Sequence, residues 1–173
     1  MENNKIVIFG GGETAELAYE YFTHDSPYEV VAFSMDREYI KSEAIHGLPV
    51  IPIDEIKSKF APESYCAFVA VSSTKLNRVR RQLYDRVKAM NYSLVSYVSS
   101  KAFVWHNVKI GDNCFILENN TLQPFTEVRN NVVLWSGNHI GHHSIIMDHC
   151  FLASHVVISG KVIIGTYSFL GIN

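Results

Sequence analysis

The chain is poor in cysteine. Cys66, Cys114 and Cys150 are the only three among 173 residues, an odd and sparse set that argues against a disulfide framework. It also lacks any apolar run near the ~18 residues that a membrane-spanning helix requires. Met1-Glu2-Asn3-Asn4-Lys5 leads straight into an apolar segment, without the pattern of a signal peptide. These absences predict a soluble, cytoplasmic chain without membrane insertion. Charge of one sign is missing too: 15 Lys and Arg stand against 17 Asp and Glu, a net of −2. Nucleic acid and anionic membrane both ask for clustered positive charge, so neither is the expected partner. No Gly/Ser/Pro-rich stretch lies near residue 95, where the rhythm of the sequence changes. Two parts packed together, rather than tethered, are expected.

What is present is a period of six. From Ser96 to Asn173 the chain scans as thirteen unbroken hexads. One slot holds Val98, Val104, Ile110, Ile116, Leu122, Val128, Leu134, Ile140, Ile146, Leu152, Ile158, Ile164 and Leu170. The residue two places earlier is mostly small, polar or β-branched, as at Cys114, Asn120, Thr126, Asn138 and Ser144. A period of six is neither the 3.6 of a helix nor the 2 of an alternating strand. It marks a parallel β-helix in which each hexad is one side of a triangular coil. With 18 residues per coil, Cys114 and Cys150 sit two coils apart, or about 10 Å at the usual strand spacing. A disulfide needs Cα atoms within about 7 Å, so free thiols filling core positions are predicted. The repeat runs in phase to Phe169-Leu170-Gly171-Ile172-Asn173 with no polar cap. A solenoid ordinarily ends in one, which predicts C-terminal truncation, or an incomplete copy of a longer protein.

The first part reads as alternating strands and helices. Strands are expected at Lys5–Phe9, Glu29–Phe33, Leu48–Ile51, Tyr65–Val71 and Ser93–Val98. Helices are expected at Glu13–Phe22, Asp54–Phe60 and Thr74–Met90, the last carrying Leu76, Val79, Leu83, Val87 and Met90 at helical spacing. The alternation predicts a parallel sheet with helices on its faces. Gly10-Gly11-Gly12-Glu13-Thr14-Ala15 fits G-x-G-x-x-A between a strand and a helix. Such a turn lets backbone approach a phosphate at a helix N-terminus, or is simply a tight turn. Asp36 follows the second strand, where an acidic residue often bonds a ribose. About 95 residues are too few for a two-halved dinucleotide fold, so one nucleotide or nucleotide-sugar fits the size better. Ser72-Ser73-Thr74 reads as an N-cap for the next helix, or as a further contact to the same ligand. The basic residues of that helix, including Arg78, Arg80, Arg81 and Arg86, read as a solvated face rather than a phosphate clamp.

Five of the eight histidines fall within seventeen residues: His139, His142, His143, His149 and His155. The 18-residue register places His142 between Pro124 and Gly160, His143 between Phe125 and Lys161, and His155 between Gly137 and Asn173. A glycine beside His142 leaves open space for a ligand. Two readings compete: a single catalytic base among bystanders, or zinc held by histidines of adjacent subunits, as in the β-helical carbonic anhydrases. The spacing does not match that ligand pattern, so no metal is expected.

A short glycine-turn α/β domain followed by hexads, with Asn138-His139-Ile140-Gly141-His142-His143-Ser144 within them, resembles the NeuD/PglD-like sugar acyltransferases. The resemblance covers essentially the whole chain. It implies a Rossmann-like nucleotide-sugar-binding domain over 1–95 and a left-handed β-helix over 96–173. It further implies a homotrimer and acetyl transfer from acetyl-CoA to a UDP- or GDP-linked 4-amino-4,6-dideoxy sugar for bacterial surface glycans. The family's base falls on His142. The acid that usually follows it is here His143, so either Asp148 or Glu118 orients the base or His142 is tuned differently. Gly160 and Ile172 take the cofactor contacts, and Gly10, Gly12, Asp36, Ser72 and Ser73 the nucleotide-sugar contacts. A histidine common in the family's glycine loop is replaced here by Glu13 or Thr14. The alternatives are O-acetylation of sialic acid or a related sugar, and a non-catalytic nucleotide-sugar-binding or assembly protein.

Overall fold

The computed structural model describes residues 4–172. They form two compact units: residues 4–72 with 82–95, and residues 73–81 with 96–172.

In the first unit, β1 (Lys5–Phe9) is followed by α1 (Glu13–His24), β2 (Glu29–Met35) and a 3-10 turn at Arg37–Tyr39. Next come β3 (Ala44–Ile45), β4 (Leu48–Pro52), α2 (Ile56–Lys59), β5 (Cys66–Val69), α3 (Arg78–Ala89), whose first four residues belong to the second unit, and β6 (Ser93–Leu94). The sheet order is β3-β4-β2-β1-β5-β6. Pairing is parallel except between β3 and β4. Ile6, Val7, Ile8 and Phe9 have no solvent exposure, which is why this central strand reads as an unbroken apolar run. The short β3 was not expected. His46 and Gly47, at φ +49 and +76, turn it back onto β4, the left-handed pair that a tight hairpin needs. On α1 the buried face is Ala15, Ala18 and Phe22, with Leu17 and Tyr21 half-buried beside it.

The helix anticipated from Thr74 starts at Arg78 instead. Lys75, Leu76 and Asn77 lie at φ +50, +51 and +65, a left-handed run incompatible with a right-handed helix. Ser72-Ser73-Thr74 therefore lies before that run, four or more residues ahead of the first residue of α3.

The second unit is a left-handed parallel β-helix. Thirteen two-residue strands run from Tyr97–Val98 to Phe169–Leu170, and each anticipated aliphatic is the second residue of its strand. Strands pair in parallel 18 residues apart, as in Tyr97↔Phe115↔Val133↔Phe151↔Phe169. The three sheets hold five, four and four strands. The aliphatic slot and the slot two before it both point inward: Ile116, Leu134, Ile140 and Cys150 are fully buried, as are Asn120, Thr126 and Ser144. All three cysteines are free and buried.

Between strands the coil turns through a second periodic slot. Asn113, Asn119, Phe125, Asn131, Gly137, His143, His149, His155, Lys161 and Tyr167 all have φ between +51 and +77. Every sixth residue is thus left-handed. Asn and Gly tolerate that conformation, while the others pay about 1–2 kcal/mol each. Ladder bonds on both sides of each corner hold them there. His155 continues this column, but Asn173, anticipated to stack on it, lies outside the described residues.

Candidate active site

Three of the five clustered histidines, His143, His149 and His155, are corner residues of successive hexads. Their spacing of six is the spacing of the corners, so their clustering alone says little about chemistry. His149 stacks on Tyr167 at 5.1 Å and its Nδ1 meets Asn131 Nδ2 at 3.0 Å. His155 lies over Gly137, where an added Cβ would stand 2.6 Å from its ring. His139 opens a strand next to Ile140.

His142 differs from these. It sits on the exposed coil surface one residue before a corner. Its backbone N–H donates to Gln123 Oε1 at 2.9 Å, and its carbonyl accepts from Lys161 N–H at 2.8 Å. The imidazole lies across Gly160, as the register predicts. A Cβ built at residue 160 would stand 2.7 Å from Nε2 and 2.8 Å from Cε1. Gly160 is therefore the floor on which the ring rests. Gly141 has a related cause: its Cβ would stand 2.5 Å from Gly160 N, so neighbouring coils could not close over a larger residue.

His142 Nδ1 faces His143 Nδ1 at 3.0 Å, the rings standing at 89°. The left-handed turn at His143, φ +60, folds its ring back toward its neighbour. Phe125, one coil earlier, stacks on His143 at 4.6 Å. The carboxylates considered as alternative partners are engaged elsewhere: Asp148 Oδ1 accepts from Asn130 N–H at 2.8 Å, and Glu118 Oε1 from Ser136 Oγ at 2.5 Å. Ile172 is 74% exposed beyond the last strand. Among the described residues no three His, Cys, Asp or Glu side chains converge as a metal site would require. No helix among them is long and apolar enough to cross a membrane.

In the first unit, Gly10, Asp36 and Ser72 follow the carboxyl ends of the neighbouring strands β1, β2 and β5, where open parallel sheets bind ligands. The three glycines are not equivalent. Gly10 has φ +142, and a Cβ there would stand 2.3 Å from the Ala70 carbonyl oxygen. Gly11 is packed against Met35, whose Cε would lie 2.1 Å from a Cβ. Only Gly12, which supplies the N-cap position of α1, meets nothing within 4 Å. Glu13 and Glu16 occupy the first turn of α1 and offset its positive end. Asp36 Oδ1 accepts from Arg86 of α3 at 2.7 Å, and both line an open cleft with Arg37, Glu38, Ile53 and Asp54. Ser73 falls in the second unit.

Arg80, expected on a solvated face, is buried instead. Its side chain is 1% exposed and packs within the second unit. Nε donates to Asn131 Oδ1 at 3.2 Å, Nη1 to Asn77 Oδ1 at 3.2 Å, and Nη2 to the carbonyls of Asn131, His149 and Cys150 at 3.3, 3.3 and 3.0 Å. Burial pulls its pKa down to about 10, still well above neutrality, so the guanidinium is charged. Arg80 is therefore not part of the solvated basic face.

Residues 5–87 match the family model of the PglD N-terminal domain, and residues 125–160 match the bacterial transferase hexapeptide model of six repeats. The resemblance to the NeuD/PglD-like sugar acyltransferases therefore holds. In fold the chain is similar to the acetyltransferase domain of PglB from Neisseria gonorrhoeae, with 20% identity, a TM-score of 0.64, and coverage of 95% of this chain and 92% of that one. It is similar to PerB from Caulobacter crescentus, solved with CoA and GDP-perosamine, at 18% identity and a TM-score of 0.61, over 96% of this chain and 88% of PerB. WeeI from Acinetobacter baumannii gives 18% identity and a TM-score of 0.64, over 91% and 73%. No curated protein matches the chain in sequence.

Proposed function

We propose that the protein transfers the acetyl group of acetyl-CoA to the amino group of a nucleotide-linked amino sugar, with His142 as general base. The observation that carries this reading is the imidazole of His142 lying on Gly160 at an exposed coil surface. A ring so placed offers a nitrogen to an approaching amine without a side chain in the way. The relatives of the same fold that bind acetyl-CoA or CoA support the reading. The PglB domain has been solved with acetyl coenzyme A, and a perosamine N-acetyltransferase has been solved in histidine-substituted forms with CoA and GDP-perosamine.

Acetyl-CoA supplies an already activated thioester, so the protein needs no covalent nucleophile. As the amine nitrogen bonds to the acetyl carbon, the carbon–sulfur bond breaks. His142 Nε2 takes the proton that the amine loses and returns it to the departing sulfur. Gly160 keeps that nitrogen accessible, and Gln123 and Lys161 fix the backbone on either side of the base. A nucleotide would be held at Gly12, Asp36 and Ser72, with Gly10 shaping the turn. The acidic first turn of α1 disfavours phosphate there, so we assign the Asp36 carboxylate to the nucleoside. The sugar is of the 4-amino-4,6-dideoxy class, linked to UDP or GDP. The working enzyme is a cytoplasmic homotrimer, and Gly160 and Ile172 contact the cofactor.

General-base catalysis contributes roughly 10²–10⁴-fold. His142→Ala is expected to lose about that factor in kcat toward a UDP- or GDP-linked 4-amino sugar while CoA still binds. Asp36→Ala is expected to raise KM for the nucleotide-sugar and spare acetyl-CoA. Full activity of His142→Ala would remove the assignment.

A further inference from the structure

We propose that His143 takes the part usually played by a carboxylate, fixing His142 in the tautomer that bears its proton on Nδ1 and leaves Nε2 free. This rests on the acetyltransfer reading for its consequence, but the geometry beneath it is independent of any substrate. Two imidazole nitrogens 3.0 Å apart can share only one hydrogen, since two facing N–H groups would repel and two facing lone pairs would form no bond. When the shared proton is on His142 Nδ1, His143 Nδ1 accepts it and the His142 Nε2 lone pair faces the space above Gly160. The opposite assignment places a proton on Nε2 and abolishes the base.

Three features on this coil hold His143 to the task. Its left-handed backbone, φ +60, turns the ring toward His142. Phe125 stacks against its face. Its backbone N–H donates to the Pro124 carbonyl at 3.2 Å. A corner residue needs none of this ring contact to make the turn, as the Asn residues in the same slot show. The arrangement also differs in kind from a carboxylate partner. Once His142 has taken the amine proton, its Nδ1–H donates to a neutral acceptor, and the pair carries a net positive charge rather than none.

The test uses the whole chain and separates the acceptor role from the packing role. His143→Phe keeps a ring to stack on Phe125 but removes the acceptor. His143→Asn and His143→Asp restore an acceptor oxygen in residue types that tolerate the left-handed corner. His143→Phe is expected to lower kcat roughly 10- to 100-fold, the effect of one hydrogen bond to a charged partner, with KM for acetyl-CoA unchanged. The Asn and Asp variants are expected to recover most of that loss. Nitrogen-15 spectra of histidine-labelled protein at pH 8, assigned with His142→Gln, are expected to show His142 protonated on Nδ1 in the parent. That signature should be lost in His143→Phe. An Nε2-protonated His142 in the parent, or a His143→Phe variant with undiminished kcat, would overturn the proposal. If the parent acetylates no amino sugar, the acetyltransfer reading fails, and the spectra alone still decide the tautomer. If His143→Phe does not fold, the parent spectrum and the two acceptor variants carry the decision.

Discussion

Replacing Arg80 is the perturbation whose cost the structure defines most closely. The guanidinium donates to three backbone carbonyls of the β-helix and to the side-chain amides of Asn77 and Asn131. Two acceptors keep another donor without it: the Cys150 carbonyl retains the Val133 N–H at 3.0 Å, and Asn131 Oδ1 retains Asn113 Nδ2 at 2.9 Å. Arg80→Ala also takes the guanidinium away from the carbonyls of Asn131 and His149 and from the Asn77 amide. At about 1 kcal/mol or more per buried acceptor left short, plus the lost packing of a fully buried stem, the sum is about 3–5 kcal/mol. Arg80→Lys should recover only part, because a single ammonium cannot span acceptors on two coils. The assay is urea unfolding followed by circular dichroism, read as a shift of midpoint at constant slope. A double-mutant cycle with Asn131→Ala should show coupling of about 1 kcal/mol or more. An Arg80→Ala protein within about 1 kcal/mol of the parent would refute the reasoning, since it would mean that the buried guanidinium contributes no more than the water replacing it.

Gly160→Ala places a methyl group 2.7 Å from His142 Nε2. It should lower kcat about 10²-fold by displacing the base, with an unchanged thermal melt. Gly10→Ala should destabilise by about 2–4 kcal/mol, because its Cβ meets the Ala70 carbonyl oxygen at a φ of +142. Gly12→Ala should leave the melt unchanged and weaken nucleotide-sugar binding in calorimetry if a ligand approaches there. The thiols should resist an aromatic disulfide reagent at pH 8 and react fully in guanidinium. Burial pushes Cys114 up to about 12 and raises Cys66 and Cys150, so little thiolate exists until the chain unfolds.

The β-helix was legible because its signal is local and repeated. Each hexad contributes one inward aliphatic, and thirteen agreeing units leave no second register. The contact of His142 with Gly160 followed from arithmetic on that register. What escaped the reading was held by backbone rather than by side-chain pattern. Arg80 pairs with carbonyls, which every residue carries, so nothing in the sequence marks its acceptors. Lys75, Leu76 and Asn77 turn left-handed without a glycine to announce it, which moved the start of α3 by four residues. The meeting of His142 and His143 depends on the corner conformation of residue 143. The recurrence of Asn at 113, 119 and 131 and of Gly at 137 could have located that corner slot, since these are the residue types that accept a positive φ most readily.

Because strands pair 18 residues apart, the chain in its second unit behaves as text written around a cylinder. Its meaningful neighbours lie above and below, not before and after. His142 and Gly160 form one such vertical word, Gly137 and His155 another, and Asn113, Asn131 and His149 a third. Each pairs a bulky ring or amide with a partner that leaves it room or supplies its hydrogen bond. Variation in this protein should therefore be compared down columns. A change at 160 is a change to the residue at 142, and a single inserted residue would break every such pair that straddles it, while the pairs wholly on either side keep their spacing of 18.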